Sequence, residues 1–129
     1  MGIGFFAVMA AGGAFLVWLN WKKIGHEEAV TSQKNQVQQL ARSVAIARSR
    51  LEQARAQQDP EKRADFARQA VDGYTQALGV DPNEAIYWGE RAEAHVILGN
   101  LEAARRDLAK AKELRPGEDW SVLEKKCGP

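Results

Sequence analysis

The residues that could do chemistry are few, and their types and spacing argue against catalysis. The chain of 129 residues holds two histidines, His26 and His95, and a single cysteine, Cys127. One thiol cannot form an internal disulfide, and this set does not supply the ligands of a usual zinc site. The sequence also lacks a phosphate-binding glycine loop and a nucleophile elbow. We therefore expect a protein that is not an enzyme, with no cofactor, no metal and no small-molecule substrate.

Charge is balanced over the whole chain but not along it. Lysine and arginine number 18 against 17 aspartate and glutamate, which disfavours a nucleic-acid partner. Between residues 22 and 57, however, seven basic side chains occur with only three acidic ones. Such a segment suits anionic lipid headgroups and is equally consistent with an ordinary solvated helix face.

The N-terminal segment is the most apolar part of the chain. From Gly2 to Leu19 no residue is charged, a length that spans about 30 Å as an α-helix. No positively charged region precedes it, so the segment predicts an uncleaved transmembrane anchor rather than a signal peptide or a buried helix. Residues expected at the membrane interface are Trp18, Trp21, Lys22 and Lys23. Residues that could pack against another membrane helix are Ala7, Ala10, Ala11 and Ala14.

The lysines after this segment set its expected orientation. The positive-inside rule predicts a single-pass integral membrane protein with its N-terminus translocated. Its C-terminal domain would lie on the cytoplasmic side or its organellar equivalent. The predicted division is an anchor over residues 1–21, a juxtamembrane linker over 22–33 and a helical domain over 34–129.

A self-match at a spacing of 34 residues organises the rest of the chain. The equivalent pairs are Ala70 and Ala104, Tyr74 and Leu108, Ala77 and Ala111, Val80 and Leu114, and Pro82 and Pro116. Two small residues, a large apolar residue between them and a later proline therefore recur in register. This period is typical of repeats built from a helix, a turn and a second helix.

The second unit resembles a tetratricopeptide repeat (TPR). Trp88 and Ala92 fall where that family has an aromatic and a small residue on its first helix, and Gly99-Asn100-Leu101 provides the turn. Arg91 and His95 stand where the family more often has leucine and tyrosine. We interpret His95 as a packing residue. The resemblance implies an all-α fold, here an N-terminal transmembrane helix followed by a small TPR-like helix-turn-helix domain.

The first unit is only half regular. Asp59 and Pro60 predict the N-cap and first residue of a helix that ends near Leu78. Before it, a longer helix is predicted over residues 32–57. Apolar residues form a heptad-like stripe along that helix: Val30, Val37, Leu40, Val44, Ala47, Leu51 and Ala54. We expect the stripe to pack on the repeat helices, and a short helix starting near Asp119 to cover the last repeat.

The resemblance also implies where a partner would bind. The concave face of the first helix of the second unit would present Ile86, Gly89, Glu90, Glu93 and Val96. With only about one and a half to two repeats, the domain falls short of the roughly three that a solenoid normally needs. We therefore expect an accessory or scaffold subunit of a larger membrane protein complex, with other subunits and the lipid bilayer as partners. A transient adaptor, assembly factor or import-receptor-like protein is the alternative, and a lipid-surface-binding helical protein is a lesser one.

Overall fold

The structure is a computed structural model; it describes the backbone of residues 2–129 and the side chains of Trp21 and of residues 27–129. Within these residues the chain forms five α-helices and no β-strand. Their bounds are α1 Gly2–Ala56, α2 Pro60–Val80, α3 Ala85–Ile97, α4 Leu101–Leu114 and α5 Ser121–Cys127. By its internal contacts the chain divides into two compact units, residues 1–37 and residues 38–129.

The predicted membrane-spanning helix is corrected by this structure. No helix among the described residues is both long and apolar enough to cross a bilayer. In the part of α1 whose side chains are described, the physical reason is charge, since Glu27, Glu28, Lys34 and Arg42 leave no bilayer-length stretch uncharged. The fold class is therefore all-α with no described membrane-spanning helix. The same finding corrects the predicted localisation as a single-pass membrane protein with a translocated N-terminus.

Most residues to which the sequence gave a membrane role lie outside the described side chains. These are Ala7, Ala10, Ala11, Ala14, Trp18, Lys22 and Lys23. Trp21 is described, and its side chain is exposed. In the unit formed by residues 1–37, Val30 and Val37 are exposed as well, so the first half of the predicted apolar stripe is not covered.

The second half of that stripe is buried. In residues 38–56 of α1, the side chains of Val44, Ala47, Leu51 and Ala54 are almost wholly removed from solvent. Ala47 and Leu51 belong to a core cluster that also contains residues of α2 and α3: Ala70, Tyr74 and Ala94. This second half of the stripe therefore packs on the repeat helices, as its period predicts.

A glycine sets how closely α1 and α2 approach. A Cβ atom placed on Gly73 would lie 2.7 Å from the Cβ of Ala47 and 3.2 Å from the carbonyl oxygen of Ser43. Any larger residue at position 73 would push the two helices apart, because the second of these contacts is with backbone. The small residues Gly73 and Ala47 thus define this helix crossing.

The predicted repeat is visible as equivalent burial in α2 and α4. The first three of its five pairs are buried: Ala70 with Ala104, Tyr74 with Leu108, and Ala77 with Ala111. The two small positions allow neighbouring helices to come close, while the larger residue between them fills the space beneath. Sequence repetition therefore corresponds to structural repetition of the second helix of each pair.

The helix ends follow ordinary capping chemistry. Asp59 accepts a hydrogen bond from the backbone N–H of Glu61 and Pro60 begins α2, which confirms the predicted cap. Gly99 adopts a φ of 78° between α3 and α4, a conformation that glycine takes at little cost. Asn100 then caps α4 by accepting from the N–H of Ala103.

Candidate functional site

The α3 helix carries most of the predicted binding face. Ile86, Gly89, Glu90 and Glu93 follow the pattern i, i+3, i+4, i+7 and so lie on one side of the helix. The structure brings these four residues together in the wall of a cavity of about 300 Å³. The opposite wall is formed by six residues between positions 118 and 126, three of them on α5: Glu118, Asp119, Trp120, Val122, Leu123 and Lys126. This arrangement joins the predicted face to a helix that the sequence had assigned only a covering role.

Val96 is the one predicted residue that does not line this cavity. It packs against the core cluster of Ala92, Ala104, Leu108 and Cys127. It also lines a second cavity of about 430 Å³, together with Arg55, Arg63, Glu93, Ile97 and Lys126. Glu93 is therefore shared by both cavities, while Val96 supports the helix from its inner side.

Trp120 closes the first cavity from the α5 side. A Cβ atom placed on Gly89 would lie 2.7 Å from the Cζ3 atom of Trp120, so glycine is what lets the indole approach α3 this closely. The indole N–H donates a hydrogen bond of 3.0 Å to the carbonyl oxygen of Arg115. Because the ring is fixed at both its apolar and its polar edge, it forms a defined part of the cavity wall.

Glu90 is held by a cation from α1. The Nε atom of Arg48 lies 3.2 Å from Oε1 and 3.1 Å from Oε2 of Glu90. Beneath this pair, Tyr74 is fully buried and its hydroxyl has no hydrogen-bond partner among the described residues. Burial, and then the nearby Glu90 carboxylate, raise the pKa of Tyr74. The tyrosine therefore stays protonated and contributes packing rather than charge.

Glu93 is held from two sides. Its Oε1 accepts a hydrogen bond of 2.9 Å from Arg55 of α1 and one of 3.0 Å from Lys126 of α5, and its Oε2 pairs with Arg55 again. Burial alone would raise the pKa of Glu93, but the hydrogen bonds from Arg55 and Lys126 outweigh it and hold the pKa below its ordinary value. The carboxylate thus links three helices through a charged network.

The outer lip of the cavity is more open. Glu118 and Asp119 line it next to Val122, whose side chain is 67% exposed. Hydrogen bonds from Ser121 hold the pKa of Asp119 below its ordinary value. The lip therefore combines an exposed apolar side chain with two carboxylates.

The other side of α3 carries a polar cluster that faces α4. Arg91 donates two hydrogen bonds of 2.7 Å to the two carboxylate oxygens of Asp107, and its guanidinium lies 5.0 Å from the ring centroid of Trp88. His95 Nε2 lies 3.7 Å from Asp107, and its buried Nδ1 has no hydrogen-bond partner in the described part of the chain. Arg91, which departs from the TPR pattern, thus stands in an interhelical ion pair.

Sequence reasoning missed the residues that complete the cavity and its charge network. These are Arg48, Arg55, Trp120, Val122, Leu123 and Lys126. One signal was available: Arg48 and Arg55 are seven positions apart on α1, and Glu90 and Glu93 are three apart on α3. Opposite charges at helical spacing on two predicted helices favour such pairs, but the relative register of the helices was needed to connect them.

The paired helices, the repeat register and the buried small residues define a TPR-like all-α protein. No protein-family model matches the chain. No solved structure matches it significantly. Among the residues that the structure describes, no group of side chains is arranged to hold a metal ion.

Curated proteins match part of the chain. It is 38% identical over 56 residues, 43% of its length, to Protein SGT1 homolog of Bos taurus. The identity over 56 residues is 41% for Protein SGT1 homolog of Oryza sativa subsp. japonica. Over 74 residues, 57% of the chain, it is 36% identical to Small glutamine-rich tetratricopeptide repeat-containing protein beta of Homo sapiens. The matched parts are 17%, 15% and 24% of these relatives, so the chain spans a quarter or less of each.

These partial matches and the helical pairs support the TPR-like resemblance and a protein-binding class of function. They do not support the predicted membrane anchoring. The relatives' whole length is far greater than the matched part, so their complete activities do not follow from the match.

Proposed function

We propose that this chain is a non-catalytic protein-interaction module whose α3–α5 surface holds a segment of another protein. The α3–α5 surface consists of the walls of the first cavity, on α3 and on residues 118–126. The observation that carries the proposal is the convergence of Ile86, Gly89, Glu90 and Glu93 in one cavity. The TPR resemblance places these four residues on the concave face of α3, where they meet a second helix across an apolar gap.

The chemistry of the cavity supports binding rather than catalysis. A general acid or base works best when its pKa lies near the operating pH. Glu93 instead has its pKa held below the ordinary carboxyl value, and Glu90 is paired with Arg48. The ion pairs of these two carboxylates fix the helices around the gap. Their structural role is to hold α1, α3 and α5 in a fixed arrangement around the α3–α5 surface.

We further propose that the module works as a scaffold subunit within a larger protein assembly. Two helix pairs and one short helix are fewer repeat units than helical solenoids usually need to be stable alone. Exposed apolar side chains such as Val122 and Ile46 are available for contact with neighbouring proteins. A transient adaptor role is distinguished by stoichiometry: a scaffold subunit would migrate with one large complex at a fixed ratio.

Site-specific photocrosslinking tests the binding surface. A photoreactive amino acid would replace Val122 on the α3–α5 surface or, as the control, the exposed Lys62 on α2. We expect the probe at position 122 to give a defined adduct in the native host, and mass spectrometry to identify the crosslinked segment. The purified partner should then form the same adduct. Equal adducts from positions 122 and 62, or none from position 122, would show that the surface does not bind protein.

A further inference from the structure

The floor of the α3–α5 surface is apolar and partly uncovered. Ile86, Trp120 and Leu123 are half-buried and line the cavity, while Val122 beside them is exposed. The cavity volume of about 300 Å³ is at the low end of the range found for ligand sites, roughly 300–1,000 Å³. It offers room for one or two side chains of a bound segment rather than for a bulky ligand. Burial of apolar side chains here would remove exposed apolar area from water.

The inner charges of this surface are already matched within the chain. Glu90 is paired with Arg48, and Glu93 with both Arg55 and Lys126. A ligand that carried a carboxylate to this place would meet Glu90 and Glu93 and would have to compete for the same cations. The inner wall therefore gives no electrostatic gain to an acidic ligand.

The lip carries negative charge that is less well matched. Glu118 shares Arg115 with Glu84, and the Arg115–Glu84 contact is the closer at 2.9 Å against 3.5 Å. Asp119 has no cationic partner among the described residues, and its carboxylate instead accepts a hydrogen bond from the backbone N–H of Ser121. Two carboxylates thus border the apolar floor, and the one cation paired with either of them among the described residues, Arg115, is shared by Glu118 with Glu84. A positive charge brought to this lip would be stabilised.

We infer that the α3–α5 surface selects a peptide segment with an apolar side chain next to lysine or arginine. The apolar side chain would enter the gap between Ile86, Trp120 and Leu123. The neighbouring cation would lie against Glu118 and Asp119. This inference rests on the proposed protein-binding function and adds the chemical class of the partner to it.

Peptides that share an apolar centre and differ in their flanking residues test this inference. Three end-blocked fluorescent peptides would share a Leu-Phe centre flanked by lysines, serines or glutamates, and their binding to the full chain would be followed by anisotropy. We expect the lysine peptide to bind about three- to tenfold more tightly than the serine peptide, as for one or two exposed ion pairs. The glutamate peptide should bind most weakly, and added salt should reduce the preference.

Matched variants locate the effect. Glu118→Gln combined with Asp119→Asn removes both lip charges and keeps an oxygen acceptor for the N–H of Ser121. Asp65→Asn combined with Asp72→Asn makes the same change in net charge on exposed positions of α2. The first pair should abolish the lysine preference, while the second should leave it intact. Thermal melts of both variants would establish that they fold equally well.

The remaining outcomes distinguish failure of this inference from failure of the proposed protein-binding function. Equal binding of the three peptides, or tightest binding of the glutamate peptide, overturns the inference while the surface still binds protein. Failure of all three peptides to bind also overturns it, and photocrosslinking at position 122 then decides the protein-binding function independently. A concentration-dependent dimer that Val122→Asp abolishes would assign the surface to a second copy and would overturn it as well.

Discussion

The indole of Trp120 lies against Gly89 so closely that α3 has no room for a side chain at that position. This contact joins the first helix of the second repeat to α5 and forms the end of the cavity. Since the α5 helix has only seven residues, it depends on such contacts for its position. The pair therefore couples the shape of the binding surface to a single missing Cβ atom.

Gly89→Ala should displace Trp120 and loosen α5. The added methyl group would overlap the ring. Overpacking of this kind typically lowers the free energy of unfolding by about 1–3 kcal/mol. We expect the low end of this range, because the Trp120 side chain can shift more readily than backbone. Faster amide exchange in residues 121–127 and weaker partner binding should accompany the loss. Gly79→Ala is the matched control, because nothing lies within 4 Å of a Cβ there. Equal behaviour of the two variants would contradict the contact.

Gly73→Ala should destabilise the α1–α2 crossing. The new Cβ would lie 2.7 Å from the Cβ of Ala47, and nearby backbone atoms cannot move aside cheaply. We expect a loss of about 1–3 kcal/mol in urea unfolding. Ala47→Gly removes the opposing methyl group, so the double variant should lose less than the sum of the two single variants. Simple additivity would show that the helices do not meet at this pair.

Asp107→Ala should cost more than the loss of one hydrogen bond. The substitution leaves the half-buried Arg91 without its anionic partner. We expect the free energy of unfolding to fall by about 2–3 kcal/mol, which is less than for a fully buried pair because Arg91 retains some solvent contact. The double variant Arg91→Met with Asp107→Ala removes both charges and should recover part of the stability. Urea unfolding measures both. A double variant less stable than Asp107→Ala alone would contradict this account of the ion pair.

Stability should fall as the pH is lowered through the range in which unfolded histidine titrates. Burial lowers the pKa of His95 from its ordinary value of 6.5, with Arg91 and Arg106 adding to the effect and Asp107 opposing it. Below pH 6.5 the unfolded chain takes up a proton that the folded chain resists, so the folded state loses stability until its own pKa is passed. His95→Gln should flatten this part of the profile. An unchanged profile in the variant would show that His95 is not responsible.

The repeat domain could be predicted because local patterns carry it. Ala70 and Ala104 are both buried, since the same spacing along the chain buries the same face of each helix. Asp59 and Pro60 begin a helix through chemistry contained within a few residues. The side of α3 that lines the cavity could be predicted in the same way, because Ile86, Gly89, Glu90 and Glu93 share one side of one helix.

The α5 wall of the cavity and the ion pairs between helices could not be predicted, because they depend on how segments distant in sequence pack together. Trp120 and Lys126 complete the cavity only because α5 packs on α3, and a seven-residue helix gives no sequence signal for its direction. The pairing of Arg48 with Glu90 likewise follows from the relative register of two helices, which periodicity alone does not specify. The apolar composition of residues 1–21 predicted a membrane helix, whereas no described helix meets the requirements for crossing a bilayer. For this segment, hydropathy alone was not sufficient to predict a membrane-spanning helix.

The most direct test of the α3–α5 surface uses the two described indoles that donate to backbone carbonyls. Trp120 lines the cavity and donates to Arg115, whereas Trp88 lies outside it and donates to Pro82. The full chain labelled with ¹⁵N-tryptophan would be titrated with the partner segment found by crosslinking at position 122. We predict that the Trp120 indole resonance shifts while that of Trp88 stays in place. A shift of Trp88 with an unchanged Trp120 resonance would contradict binding at this surface.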